Sequence, residues 1–348
     1  MVEGYHVVPK QCVSGYYLCL SDYYNFKDGV WNGSVMEDVG VYEGKRWALP
    51  MGFGGDMGVF YNKNLVAAAN LKDPWTYVES DTWNFDNFKK FAKALTKDTD
   101  GDGQPNQFGF ICEQPWGQFT LCNGGEVIDM SSGHGKFAMD SANGKEALEY
   151  VLSLYDEQII PTTEQIADNG LQDAFNAMAT GKVAMFTYGA AYGPWLAENA
   201  GLDYDEIGWV WLPKGPKAKD YVAATFTQQN MLMVPRYAEK PEEIVTVMQD
   251  AMAFWSKNHK NPMTPEQVRE KNATQDYIVD FLQGNHLKMY KESVSRVKCF
   301  NLYSYTDAMM LTFEMFYDIQ TKKHTVASAL DAYKGAIQSA ITDLETVE

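Results

Sequence analysis

The sequence predicts an α/β protein built as two lobes, and three observations carry that expectation. At 348 residues the chain is longer than a typical single domain, so two separate cores are the default arrangement. Between Leu171 and Tyr188 a short amphipathic stretch ends at Gly181 and a strand, Val183 to Tyr188, follows, which is the order expected of helices layered on a sheet. From Lys45 to Leu65 a strand, a glycine-rich turn and a second strand running into a helix start read as a crossing between lobes.

Residues 1–44 mix Tyr, Gly and Asp with short apolar pieces and are expected to be loops with one or two short elements. Trp47, Ala48 and Leu49 make an apolar run that Pro50 stops, since proline cannot donate to a sheet ladder. Val59, Phe60 and Tyr61 form the second run, closed by the turn chemistry of Asn62, Lys63 and Asn64. Asp81 or Thr82 is expected to cap a helix from about Trp83 to Thr96 with Phe88, Phe91, Ala92 and Leu95 on one face. A second helix over 142–157 places Ala147, Val151, Leu154 and Tyr155 on one side. Trp209 to Leu212 and Met231 to Val234 read as strands. A helix entered through Pro241 is expected to bury Ile244, Val247, Met248, Ala251, Phe254 and Trp255. The capping box Thr264-Pro265-Glu266-Gln267 predicts a helix over 268–282, and a helix from Val326 to Leu344 repeats Val326, Leu330, Tyr333, Ile337, Ile341 and Leu344 at spacings of three or four.

The formal net charge of −17, with no basic block, argues against nucleic acid or an anionic membrane as partner, because phosphate contacts need clustered Lys and Arg. No stretch approaches the roughly 20 apolar residues of a membrane span. The five cysteines have no metal-ligand spacing and are expected to be buried free thiols, with Cys112 and Cys122 the one pair worth testing for a bridge.

Asp98-Thr99-Asp100-Gly101-Asp102-Gly103 matches the start of a calcium loop, in which carboxylates at alternate positions converge on a hard cation. Gln104 and Asn106 fall at its seventh and ninth positions, but Gly109 stands where an EF-hand needs a bidentate glutamate. The alternatives are a structural calcium and a solvated Asp/Gly turn. The glycines at 52–58 do not make a dinucleotide fingerprint, because Met57 occupies the third glycine position and a strand follows instead of a helix. No P-loop, H-E-x-x-H or G-x-S-x-G motif occurs. Carboxylate pairs for glycoside hydrolysis stay open, since such partners can be distant in sequence. Aromatic residues make up 14% of the chain, many at predicted strand ends; they can serve as core or as flat faces for pyranose rings, with Asp, Asn and Gln for the hydroxyls.

The pieces ALP and YNKNL, a Trp-Asn-Phe helix start, LTKDTDGDGQPNQFGF, AFNAMATGKVAMFTYGAAYGPW and WLPKGP, in that order, resemble the family 1 extracellular solute-binding proteins. These are binding components of ABC importers for sugars and oligosaccharides, and the maltodextrin-binding proteins belong among them. The resemblance implies a type II periplasmic-binding-protein-like fold with a hinge and an interlobe cleft. It divides the chain into a first lobe of 1–58 plus 232–298 and a second of 59–231 plus 299–348. Because Met1-Val2-Glu3-Gly4 shows no basic or apolar leader and the Ala-Leu-Pro motif comes early, the first lobe is expected to be incomplete, with an unpaired sheet edge.

By the same resemblance Trp116, in Glu113-Gln114-Pro115-Trp116, stands where relatives put an aromatic beside the sugar, and its polar neighbours favour partial exposure. Tyr192 or Trp195 fills the place of a second family aromatic. Gln228, Gln229 and Asn230 precede a return to the first lobe, Asp56 lies in the glycine loop, and Tyr303 and Tyr305 lie near the third crossing. The implied function is capture of a sugar or oligosaccharide by hinge closure and its delivery to an ABC permease, without catalysis and with no cofactor required. The implied setting is a monomer outside the cytoplasmic membrane, periplasmic or lipid-anchored. The rival readings are a carbohydrate-active enzyme and a binding protein for a peptide or another small solute.

Overall fold

The strand Met57–Asn62 is apolar on both faces because it is covered on both, with Val59, Phe60 and Tyr61 at 0% exposure. It runs between Met185–Gly189 and Ile207–Val210 and pairs antiparallel with each. These belong to a computed structural model that describes residues 2–4, 9, 12, 14–23, 40–50, 57–225, 231–252, 284–293, 296–299 and 301–346. Beyond Met185–Gly189 the segment 108–111 runs alongside in the same direction, through parallel bridges Phe108 to Val183 and Ile111 to Phe186. The expected turn at Asn62 is a helix cap: its side chain accepts from the Leu65 N–H and starts the helix Lys63–Ala68.

Helices cover this sheet. Phe85–Leu95 buries Phe88, Phe91, Ala92 and Leu95 as the periodicity predicts, but its cap is Asn84, whose side chain accepts from the Asn87 N–H at 3.0 Å, and not Asp81 or Thr82. Ala142–Asp156 and Val326–Glu345 lie where expected and bury the stripes Ala147, Val151 and Leu154, and Val326, Leu330, Ile337 and Ile341. Pro115–Cys122 and Thr306–Gln320 are among the helices without a counterpart in the sequence reading. Pro115–Cys122 is buried at every position, so no amphipathic face betrays it. Thr306–Gln320 packs against Val326–Glu345 and is tied to it through the buried Asp318, which accepts from Lys323 Nζ at 2.9 Å and from the Tyr333 hydroxyl at 2.7 Å.

A second sheet has Met231–Met233 in the middle, antiparallel to Val2–Gly4 on one side and to Ala48–Pro50 on the other. Side-chain alternation splits its apolar residues between two small cores. Leu20, Leu49, Val234, Val245 and Met248 form one, and Cys12, Tyr42, Ala48, Met231 and Met233 the other. The helix Pro241–Met252 meets the first of these through Val245 and Met248, which turns Val247 outward at 58% exposure against the expected stripe. Side chains at 249–252, Phe254, Trp255 and the helix expected over 268–282 lie outside the described residues.

The helix Gly284–Ser293 sides with the large core, although the resemblance draws the lobe boundary at 298. Met289 and Tyr290 are buried there, and His286 Nδ1 lies 2.7 Å from the Trp209 carbonyl oxygen. Next to it Val297–Cys299 pairs in parallel with Ala223–Thr225. All five cysteines are free, so Cys112 and Cys122 do not form a bridge. Among the described residues no helix is long and apolar enough to cross a membrane.

Candidate ligand site at the strand ends

One edge of the large sheet collects the polar and aromatic groups that a small ligand would need. The pairing of Met57 with Gly189 brings the start of the middle strand level with the end of its neighbour. The parallel bridge of Ile111 with Phe186, reinforced by hydrogen bonds from Ile111 N to Met185 O (2.9 Å) and Thr187 N to Ile111 O (3.2 Å), brings Glu113 and Tyr188 to that same end of the sheet. In α/β sheets the space beyond the carboxyl ends of parallel strands is where ligands bind.

Glu113 is accessible to solvent, yet protein crowds around it and this partial burial raises its carboxyl above the ordinary range. Its charge reaches two phenols. Tyr188 is raised first by burial, then by Tyr192 and Glu113, and Tyr303 is pushed up to about 12 by burial and then by Glu113. Tyr303 follows the strand Val297–Cys299, so a second strand end contributes to the same place. The Tyr192 ring meets Tyr188 edge-on, with centroids 4.7 Å apart at 90°, and is 50% exposed. Phe175 continues the aromatic chain, edge-on to Tyr188 at 5.0 Å and to Trp195 at 4.7 Å; Trp195 is 48% exposed.

This arrangement can stack on flat apolar faces and accept hydrogen bonds from hydroxyls. It holds no activated thiol: Cys112 is buried, raised to about 12 by desolvation and within 3.4 Å of Gln118 Oε1.

Two expected ligand residues are core instead. Trp116 is 5% exposed and lies nearly parallel to Tyr155 (5.6 Å, 22°) and Phe316 (5.3 Å, 13°), so no face is free for a pyranose. The short helix Pro115–Cys122 turns it inward, away from its polar neighbours. Tyr305 is fully buried, and its hydroxyl donates to Glu345 Oε1 at 2.6 Å. Tyr192 and Trp195 are exposed and Tyr303 is half-buried beside Glu113. Asp56, Gln228, Gln229 and Asn230 lie outside the described residues. Glu113 and Tyr188 were not among the expected site residues; Glu113 follows the segment 108–111 and Tyr188 is the last residue but one of Met185–Gly189, and that position was the signal available for them.

The loop after Phe85–Leu95 gathers Asp98, Asp100 and Asp102 with carboxylate oxygens within 4.8 Å of one another, all exposed. Asp98 accepts from Gly101 N at 2.6 Å and Gly103 N at 2.8 Å, and these backbone donors hold its carboxyl below the usual range. Asn106 Oδ1 accepts from both the Thr99 N–H and hydroxyl at 2.8 Å, and the Gln104 side chain accepts from Gln158 at 2.8 Å. The twelfth loop position is closed to any side chain, because a Cβ on Gly109 would lie 1.9 Å from the Ala92 carbonyl oxygen. The three carboxylates fit a calcium ion, and the closing carboxylate of an EF-hand is missing.

A profile described as bacterial extracellular solute-binding protein matches residues 13–255. No curated protein matches the chain by sequence. Among solved structures, a cyclic alpha-maltosyl-1,6-maltose binding protein from Arthrobacter globiformis is 16% identical and aligns over 96% of this chain and 82% of its own, with a TM-score of 0.65. A maltose/maltodextrin-binding domain from Bdellovibrio bacteriovorus bound to maltotriose gives 15%, 98%, 84% and 0.64, respectively. An ABC substrate-binding protein from Listeria monocytogenes in complex with cycloalternan gives 16%, 98%, 84% and 0.67. By its sequence profile and its two-lobed type II α/β fold, the chain belongs to the bacterial extracellular solute-binding protein family.

Proposed function

We propose that the chain captures a sugar or oligosaccharide at the strand ends marked by Glu113, Tyr188, Tyr192 and Tyr303 and delivers it to an ABC permease outside the cytoplasmic membrane. The observation that supports this most is the meeting of a solvent-accessible carboxylate with exposed and half-buried aromatic rings at the carboxyl ends of parallel strands. Several structurally similar proteins are described as bound to maltotriose, cycloalternan or maltotetraose, which supports the same ligand class. Closure of the lobes around the ligand supplies the signal to the permease. The protein performs no chemistry on the ligand and acts as a monomer, periplasmic or lipid-anchored. A thermal-shift panel of mono- and oligosaccharides, amino acids and peptides tests this reading: sugars raise the melting temperature and the other classes do not.

A hydrolase reading draws on Glu113, whose raised carboxyl suits a general acid, but a glycosidase needs a second carboxyl flanking the bond. Incubation with the bound oligosaccharide separates the two, since a binding protein returns it uncleaved. For the loop at Asp98, Asp100 and Asp102 we propose a structural calcium, held by these carboxylates, the Gln104 carbonyl and waters, which offsets their mutual repulsion.

A further inference from the structure

The strands Val41–Tyr42 and Lys45–Arg46 pair antiparallel across a turn at Glu43 and Gly44, and this hairpin belongs to the smaller lobe. Tyr42 sits in the core with Cys12, Ala48, Met231 and Met233, and Arg46 N donates to Ser21 Oγ at 2.8 Å. The turn meets the loop 130–135 of the larger lobe, between Ile128–Asp129 and Lys136–Phe137. Met130 packs against both the large core and the core of Tyr42, and a Cβ on Gly133 would lie 4.0 Å from Glu43 Cα.

At this junction His134 stands between two carboxylates from different lobes. Its Nε2 lies 3.9 Å from Glu43 Oε1 and its Nδ1 3.3 Å from Glu345 Oε2. Glu345 is fixed in place: its side chain is 7% exposed, and Oε1 accepts from the Tyr305 hydroxyl at 2.6 Å and from Gly135 N at 2.7 Å. The Tyr42 ring meets His134 edge-on, with centroids 6.4 Å apart at 81°, and its buried hydroxyl has no hydrogen-bond partner. Burial first, then Glu345 and Glu43, push the Tyr42 phenol up, so both carboxylates act on this one spot. Lys45 on the hairpin and Asp129 and Lys136 beside the loop are the other charged groups of these elements, and among the described residues none of them pairs with His134.

A neutral imidazole carries one N–H, so it can donate to only one of these carboxylates and turns a bare nitrogen toward the other. The imidazolium donates to both. We propose that His134 is a proton-operated latch between the lobes: charged, it ties Glu43 of the smaller lobe to Glu345 of the larger, and loss of its proton frees the hairpin. Capture by closure requires the lobes to move, so the latch sets how readily they do; in this the inference rests on the hinge reading above.

The test measures the distance between the lobes in the ligand-free protein by pulsed electron resonance. Spin labels go on Thr246→Cys in the helix Pro241–Met252 and on Ala332→Cys in Val326–Glu345, both exposed positions, with Cys299→Ser added because the other native thiols are buried. Between about pH 8 and about pH 5, the range over which histidines gain charge, the ratio of molecules at the label distance of this lobe arrangement to all others rises about two- to five-fold. That is the scale of one solvent-accessible ion pair. Glu43→Gln and His134→Gln each abolish the rise. His286, buried against the large sheet, is unchanged in both variants, so its own titration cancels in the comparison. Both altered side chains are about half exposed, and melting temperatures stay near wild type. A distance distribution that ignores pH in the otherwise unaltered protein, or a rise that survives in Glu43→Gln, overturns the latch. Sugar titration of the same labelled protein tests the capture reading separately: sugar-driven closure without any pH response sinks the latch alone, and a pH response without sugar binding sinks the capture reading alone.

Discussion

Ile111 and Phe186 form a parallel bridge, and that single register delivers Glu113 and Tyr188 to the same edge of the sheet. Everything in the candidate site depends on it: a slip of one residue would turn the flanking side chains to the opposite face. Tyr192 and Tyr303 join from other connections at that edge.

Tyr192→Ala is expected to weaken sugar binding by about 2 kcal/mol, the cost of removing an anchoring aromatic, with little change in melting temperature because the ring is half exposed. Titration of a sugar into wild type and variant measures it; unchanged affinity removes Tyr192 from the site.

Trp116→Ala behaves in the opposite way. Its ring fills space between Tyr155 and Phe316, so truncation is expected to cost about 3–5 kcal/mol of stability, read by denaturant unfolding, while the folded fraction keeps its ligand affinity. A loss of affinity without loss of stability would return Trp116 to the cleft.

Glu113 makes stability depend on pH. Its folded carboxyl titrates above the 4.5 of a free glutamate, so the native state holds the proton more tightly than the unfolded chain. Stability therefore falls as pH rises from about that value through the raised folded value, and the loss persists above it. Glu113→Gln is expected to be more stable than wild type above this window and not below it. Chemical unfolding at a series of pH values checks the sign, and parallel curves for the two proteins contradict it.

Chelation of calcium is expected to lower the melting temperature and leave sugar affinity nearly unchanged, since Asp98, Asp100 and Asp102 lie on an exposed loop after Phe85–Leu95. Asp100→Asn should reproduce the loss and abolish the response to chelator. Equal melting temperatures with and without chelator support a plain Asp/Gly turn.

Periodic features were legible in the sequence, while features set by burial were not. The stripes of Phe85–Leu95, Ala142–Asp156 and Val326–Glu345 were readable because one face of each helix meets solvent. Pro115–Cys122 has no such face, and without that helix the polar neighbours Glu113 and Gln114 pointed to a partly exposed Trp116. Tyr305 was misplaced for a related reason: its partner Glu345 lies forty residues away, and only the packing of Thr306–Gln320 on Val326–Glu345 brings the two together. Tyr192 and Trp195 became candidates through the order of a strand, a glycine and aromatics, which is local. Glu113 was read only as a polar neighbour of Trp116, because its nearness to Tyr188 follows from the register of two strands some 75 residues apart, and no window of sequence contains that register.

The most direct measurement is a titration of the intact protein with neutral oligosaccharides, followed by chromatography of the recovered sugar. Saturable one-to-one binding that Tyr192→Ala weakens, with the sugar recovered at its original length, is the predicted result. Absence of binding across the sugars, or recovery of shortened products, would contradict capture without chemistry at the strand ends.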